Sequence, residues 1–191
     1  MVFEKVYNTQ VFFNITSCIL TLDMKINNIK ISVYLSGDLC EKEKSNRKTI
    51  YKHGSWTFTI YRHSPRLINV TGLKQEGDID KVINHIENIY AKKCVKYQMD
   101  SVMITHKDNK RLNMNDVMKN AKTFLDMYYI DYNPELFTGV YLKPFNREYP
   151  TVNIFYTGSF QLLGGKSFQK INTAFHLIQH LIRKSEKHGM L

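Results

Sequence analysis

A short pattern occurs twice in this chain, and the repeat constrains the fold more than any other feature. Residues 57–61 lead into residues 67–74 in the first copy, and residues 151–155 lead into residues 160–166 in the second. The copies are 94 residues apart between Thr57 and Thr151, and 92 apart between Gly72 and Gly164. The spacing indicates one duplicated unit rather than a solenoid of many short repeats.

An amphipathic helix is predicted after each copy of the pattern, because apolar residues recur at helical spacing. These residues are Ile79, Val82, Ile83, Ile86 and Ile89 in the first half, and Ile171, Phe175, Ile178 and Ile182 in the second. Each half also opens with a strand candidate rich in β-branched or apolar residues, at 11–22 and at 95–105.

Two further segments complete the predicted element order. In the second half Asn115 can cap a helix whose apolar stripe is Val117, Ala121, Phe124 and Tyr128. Residues 27–35 of the first half alternate like a strand, whereas a helix is the alternative there, and residues 41–48 read as a polar loop.

The repeat and the element order together predict an α+β fold. Strands in meander order favour antiparallel pairing, so we expect one curved antiparallel sheet with all helices on its convex face. The sequence is interpreted as a single domain over residues 1–191, with repeat one at about 10–93 and repeat two at about 94–188.

Composition narrows the class of protein. A hydrophobic content of 43% is ample for a packed core. No run approaches the roughly 18 apolar residues of a membrane span. Cys18, Cys40 and Cys94 are odd in number and form no C-x-x-C pair, which favours a reducing compartment. A net charge of +10 suits a polyanionic partner, although lysine-rich chains also gain solubility from their charge.

The most specific motifs lie in the second half. The run Pro-Glu-Leu-Phe-Thr-Gly occupies positions 134–139, Ile-Phe-Tyr-Thr-Gly occupies 154–158, and a hydrophobic strand ends in Gly164-Gly165-Lys166. This combination resembles the second half of a TATA-box-binding protein (TBP). The resemblance is specific over about 132–182, weaker over 56–91, and faint elsewhere. It implies a saddle-shaped sheet that grips double-stranded DNA in the minor groove.

The resemblance implies a set of DNA-contacting residues. Phe137 and Phe155 match phenylalanines that wedge between base steps and kink the duplex, and Tyr61 takes the place of one first-half wedge. The other wedge residue of the family's first half has no clear counterpart in this chain, although Ile50 or Tyr51 could substitute. Core packing is the alternative for both phenylalanines.

Base-reading positions are matched in the first half and altered in the second. Asn14 and Thr71 match the family's asparagine and threonine, whereas Asp100 or Met99, and Leu163, stand in the second-half places. An unpaired carboxylate facing base acceptors would be unfavourable, so Asp100 is expected to face elsewhere unless the register differs. Phosphate contacts are predicted from basic residues: Lys74, Lys166, Lys143, Arg147, Arg62 and Arg66.

The resemblance also implies a protein partner. Glu135 and Leu136 match residues that hold a transcription factor B-type protein, while the alternative is that Leu136 anchors its own turn. The predicted function is a transcription initiation factor that binds promoter DNA as a monomer and recruits this partner or RNA polymerase. The alternative is an interaction module of the same fold that has lost independent or sequence-specific DNA binding.

Other classes of function have little support in the sequence. His176 and His180 lie four residues apart on a predicted helix, but no third ligand completes a metal site. The scattered histidines form no catalytic motif, so neither an enzyme nor a cofactor is predicted. The composition, rich in Asn, Ile, Lys and Tyr, resembles that of a virus-encoded or otherwise fast-evolving copy, so the nucleus or a cytoplasmic viral factory is the expected location.

Overall fold

The computed structural model describes residues 24–39 and 48–186. The strands are β1 (Lys25–Leu35), β2 (Lys48–His53), β3 (Trp56–Tyr61), β4 (Leu67–Leu73), β5 (Cys94–His106), β6 (Tyr128–Asp131), β7 (Val140–Pro144), β8 (Thr151–Ile154) and β9 (Phe160–Gly165). The helices are α1 (Asp78–Tyr90), α2 (Met114–Phe124) and α3 (Phe168–Ser185).

All nine strands of this described part form one antiparallel sheet in the order β2-β3-β4-β1-β5-β9-β8-β7-β6. The first four strands along the chain make one half and the last five make the other, with β1 and β5 paired at the centre. The prediction of a single curved antiparallel sheet with helices on one face is confirmed.

The core lies between the sheet and the helices because apolar residues alternate along the strands. Ile31 and Val33 of β1 and Val102 and Ile104 of β5 are fully or almost fully buried at the centre. The helices cover them with their own apolar stripes. The buried helix residues are Ile79, Val82 and Ile86 of α1, Val117 and Ala121 of α2, and Ile171, Phe175, Ile178 and Ile182 of α3.

The central strand of the first half resolves the ambiguity of residues 27–35. They lie in β1, whose Ile31 pairs with Val70 in the same way as Ile104 of β5 pairs with Leu162. The alternation of the apolar residues therefore decided the structure here, and the helical alternative is wrong. The predicted opening strand at 11–22 lies outside the described residues.

Three local predictions need correction. The α2 cap is Asn113, whose side chain accepts a hydrogen bond from the Asn115 backbone N–H at 3.0 Å. Tyr128 is not on the helix stripe: α2 ends at Phe124, and Tyr128 begins β6. Ile89 follows the α1 spacing but is exposed, because it lies near the helix end beyond the reach of the sheet.

The two halves differ in one large segment. In the second half, residues 107–139 carry α2, β6 and the loop that presents Phe137 between β5 and β7. In the first half, residues 36–47 are all that separates β1 from β2. These 12 residues are too few for an 11-residue helix, a four-residue strand and the loops joining them. The sequence offered no clear counterpart of Phe137 in the first half, and this segment length explains why.

Gly72 and Gly164, at equivalent places in the repeat, give a matched pair of stability predictions. Both have left-handed backbone, with φ of 93° and 79°. A Cβ on Gly72 would lie 2.1 Å from the Ser55 carbonyl oxygen, whereas one on Gly164 would meet nothing within 4 Å. We expect Gly164→Ala to cost about 1–2 kcal/mol from backbone strain alone, and Gly72→Ala to cost about 3 kcal/mol or more. Urea unfolding measures both, and equal losses would contradict the predicted clash.

Histidines on two helices predict a loss of stability in acid. Burial is the main cause that lowers the pKa of His85, His176 and His180 below 6.5. The His85 ring also lies 4.1 Å from the His53 ring, and its Nε2 is buried without a hydrogen-bond partner. The unfolded chain therefore takes up protons near pH 6.5 that the folded chain resists, so stability falls as the pH drops below that value. We expect the melting temperature to fall from about pH 7.5 to 5.5. The fall should be smaller in His85→Leu, and an equal fall would exclude His85 as a contributor.

Candidate nucleic-acid interface

The sheet face opposite the helices, called here the open face, is defined by the pairing register. Residues paired across neighbouring strands share a face, so the polar partners Asn69 and Ser32, or Thr57 and Thr71, lie opposite the buried core residues. The same register continues through both halves. Its open-face members include Thr59, Tyr34, Gln98, Met103, Gln161, Leu163, Asn153, Thr151 and Tyr141.

Positive charge outweighs negative charge on the open face. By register and alternation its lysines include Lys25, Lys30, Lys48, Lys52, Lys96 and Lys143. The Lys96 ammonium lies 4.7 Å from the centre of the Tyr34 ring, a cation–π distance. The aspartates Asp100 and Asp131 share this face. A face of this kind attracts a polyanion.

Two phenylalanines meet at the second-half end of the open face. Phe155 follows β8 and continues the alternation of Thr151 and Asn153. Its ring centre lies 5.8 Å from that of Phe137, with the planes at 64°, an edge-to-face contact. Phe137 is 38% exposed, so the alternative of a core phenylalanine is wrong for this residue.

The loop that carries Phe137 is fixed by local chemistry. The Asn133 carbonyl accepts hydrogen bonds from the Leu136 and Phe137 N–H groups at 3.1 and 2.9 Å. Its side-chain oxygen accepts one from the Glu135 N–H at 3.2 Å. A Cβ on Gly139 would lie 2.9 Å from the Phe137 ring and 2.8 Å from the Ile154 carbonyl oxygen, so glycine makes room for the ring. The phenylalanine pair is therefore held before any ligand arrives.

The tip of the same loop points into solvent. Leu136 is 84% exposed, and Glu135 is exposed beside it. The alternative that Leu136 anchors its own turn is wrong, because the turn is held by Asn133. Leu136, Phe137 and Tyr141 instead line a groove of about 340 Å³ at this end of the sheet.

The first-half end of the open face is differently equipped. Tyr61 ends β3 on this face, opposite Lys48 of the edge strand, and its ring lies 5.5 Å from the His63 ring. Of the possible substitutes for the second wedge, Ile50 is exposed on the open face, opposite Thr59. Tyr51 faces the helices and stacks on Phe58 at 4.4 Å, so it cannot be that wedge.

Two of the base-reading residues predicted from sequence lie on the open face, and a third lies outside the described residues. Thr71 and Leu163 lie on the open face, opposite Thr57 and Thr151. Asn14 lies outside the described residues.

Sequence reasoning missed two asparagines of β1. The Asn28 side-chain oxygen accepts a hydrogen bond from the Gly72 N–H at 2.7 Å, beside Thr71. The Asn27 side-chain NH₂ donates to the Thr105 hydroxyl at 2.9 Å. A sequence signal for these two residues existed. Buried residues alternate in the same way along β1 and β5, so the two strands can be aligned as repeats with Ile31 equivalent to Ile104.

The centre of the open face holds a polar cluster of Ser32, Asn69 and Asp100. The Ser32 hydroxyl oxygen lies 2.8 Å from Asn69 Oδ1 and 2.7 Å from Asp100 Oδ2. Asp100 is placed at a β-bulge, where the pairing of β5 with β1 skips from Ser101 to Met99. The expectation that Asp100 faces away from this surface is wrong, because the bulge turns its carboxylate toward Ser32.

The predicted phosphate contacts are unequal. Arg66 forms an ion pair with Asp38 at 2.6 Å, and the Lys74 ammonium donates to the Asn27 carbonyl. Both cations therefore have protein partners. The remaining four predicted residues are exposed at or near the ends of strands: Arg62, Lys143, Arg147 and Lys166.

Two other kinds of feature concern residues 24–39 and 48–186: metal-binding clusters and membrane-spanning helices. Within these ranges, no three histidine, cysteine or acidic side chains are placed to hold a metal ion. No helix found there is both long enough and apolar enough to cross a membrane.

The fold has a close match among solved structures. The Methanococcus jannaschii TBP superposes with a TM-score of 0.62 at 17% identity, over 85% of this chain and 99% of that chain. A chain in the complex of A. aeolicus tRNASec with M. kandleri SerRS reaches 0.41 at 8% identity, over 86% of this chain and 30% of that one, and supports no conclusion. The fold shared with the archaeal TBP is thus the saddle.

Sequence comparison places the family signal in the second half. Residues 96–185 match the model of the family described as transcription factor TFIID (or TATA-binding protein, TBP). No curated protein matches the chain by sequence. The matched family consists of non-enzymatic DNA-binding transcription factors. Residues 96–185 thus carry the sequence pattern of the TBP family, and the chain shares the saddle fold of the archaeal TBP across both halves.

Proposed function

We propose that this protein binds double-stranded promoter DNA in the minor groove through its open face and kinks it at one end with Phe137 and Phe155. The observation that carries the proposal is the pair of rings, 5.8 Å apart, presented beside the open face of a TBP saddle. A flat ring can replace part of the base stacking lost at a kinked step, which costs about a few kcal/mol.

The kink is proposed at one end because the halves are unequal. The first half has Tyr61, whose hydroxyl needs a hydrogen-bond partner when it is buried. Its residues 36–47 are too few for a loop like the one that carries Phe137. At the first-half end, lysines of the edge strand β2 and of the centre of the open face would contact the DNA phosphates, and no ring would be inserted between bases.

The test of DNA binding through the open face is a salt titration of duplex affinity. We expect measurable binding whose affinity falls steeply with salt, because each neutralised phosphate releases counterions. Replacing the edge-strand pair Lys48 and Lys52 with glutamine should lower the slope of log K against log salt by about 2. The exposed pair Lys119 and Lys122 on α2 is the matched control, and glutamine there should leave the slope unchanged.

The results separate the two candidate functions. Slopes that change equally in the two lysine variants would contradict binding through the open face. Absence of duplex binding at low salt would favour the interaction module that has lost independent DNA binding.

We also propose that the loop tip binds a transcription factor B-type protein. The side chains of Glu135 and Leu136 are exposed, and the turn is held by backbone N–H groups and Asn133, so both side chains can contact a partner. In a pull-down with such a protein and DNA, Glu135→Arg should remove the partner but keep the DNA. Glu76→Arg, an equal charge reversal on an exposed turn of the first half, should change neither. Loss of the partner in both variants would indicate a general charge effect.

The proposal also covers the oligomeric state and the cellular location of the protein. We propose a monomer on DNA, since one chain supplies both halves of the saddle. TBP-like factors act where DNA is transcribed, so we propose the nucleus, or a cytoplasmic viral factory if the chain is virus-encoded.

A further inference from the structure

The cluster at the centre of the open face has a defined hydrogen-bond direction. Ser32 is 6% exposed, and its single hydroxyl proton can serve only one of the two oxygens beside it. A carboxylate is the stronger acceptor, so the proton goes to Asp100. The Asn69 amide, turned so that its NH₂ donates to the Ser32 oxygen, completes a chain of donors from Asn69 through Ser32 to Asp100.

This chain leaves acceptor capacity facing outward. Within the described residues, Asp100 has no ion-pair partner within 4.0 Å, and Ser32 is the one side chain that donates to it. A carboxylate has about four lone-pair sites, and the Ser32 proton uses one of them. Asp100 is only partly buried, so the remaining sites can reach a ligand on the open face.

The minor groove offers one donor that can use these sites. A·T pairs present only acceptors there, adenine N3 and thymine O2, which a carboxylate repels. G·C pairs add the guanine 2-amino group. One hydrogen of that group pairs with cytosine, and the other points into the groove.

We infer that Asp100 selects base pairs carrying a minor-groove amino group at the centre of the bound site, and disfavours A·T there. The inference rests on the proposed minor-groove binding and makes Asp100 a residue that determines specificity. The site preferred by this protein would then have an interrupted A·T run, with guanine near its middle.

The experiment uses four uniform duplexes that differ in the 2-amino group. G·C is compared with inosine·C, which lacks it, and 2,6-diaminopurine·T is compared with A·T. Affinities are measured by fluorescence anisotropy for wild type, for Asp100→Asn, and for Asp126→Asn. Asp126 is exposed beyond α2, so that variant removes the same charge away from the sheet.

For each protein, the preference is the affinity for a duplex that carries the 2-amino group divided by the affinity for the paired duplex that lacks it. The decisive quantity is this preference in wild type divided by the same preference in Asp100→Asn. Each preference includes the bending cost of the duplex, and the division cancels it. We expect a ratio of about tenfold in both pairs, the worth of one hydrogen bond to a charged group, and a ratio near one for Asp126→Asn.

Two results would overturn the inference. A ratio within about twofold of one in both pairs would mean that Asp100 does not sense the amino group. No binding to any duplex would overturn the DNA-binding proposal as well, which distinguishes the two failures. Asparagine keeps an acceptor for Ser32, so we expect Asp100→Asn to fold, and its melting curve checks this.

Discussion

Replacing Phe137 and Phe155 together with alanine should weaken duplex binding by roughly 10- to 100-fold, because ring–base stacking is worth about 1–3 kcal/mol. The rings touch each other and line the end of the open face, so they act as one unit. Each single variant should therefore show most of the loss of DNA affinity that the double variant shows. Fluorescence titration at fixed salt measures all three.

The control for this prediction is another exposed phenylalanine. Phe145 is 69% exposed and borders a groove with Lys170 of α3, on the helix side of the sheet. Phe145→Ala removes an exposed ring of the same size without touching the open face. A loss of binding equal to that of the double variant would mean that the phenylalanines act through general surface effects.

Phe160→Ala should have the largest effect on stability, at about 3–5 kcal/mol. Phe160 is completely buried, and its ring lies 5.2 Å from Phe175 and 4.9 Å from His106, so truncation leaves a cavity that these rings cannot fill. Urea unfolding followed by tryptophan fluorescence measures the loss, with Trp56 as the reporter.

Phe155 provides the contrast five residues earlier. We expect Phe155→Ala to lose much less stability than Phe160→Ala while losing more DNA affinity per folded molecule. If Phe155→Ala costs as much stability as Phe160→Ala, Phe155 is a core-packing residue and the wedge role is contradicted.

The second-half site was predictable from sequence because its chemistry is local. The turn around Asn133, the exposed Leu136 and the room provided by Gly139 all lie within a few residues of Phe137. A contiguous pattern therefore carries most of the geometry. The alternation of buried residues predicted the sheet for the same reason, since each strand's pattern is read along the chain.

The remaining features depend on distant pairing. Asp100 faces the open side only because a β-bulge against β1 turns it, and no neighbouring residue signals that bulge. Asn28 was missed because its role follows from a bond to Gly72, 44 residues away. Ion pairing of Arg66 with Asp38 likewise joins two segments whose contact cannot be read from either one.

The most direct measurement is DNA bending, followed by energy transfer between dyes at the two ends of a short duplex. Wild type should bring the ends closer, and the Phe137→Ala/Phe155→Ala variant should lose most of this change at saturating protein. Tyr61→Ala should keep it, because the kink is made at the second-half end. Bending that survives the double phenylalanine variant, or is lost equally in Tyr61→Ala, would contradict a one-ended wedge.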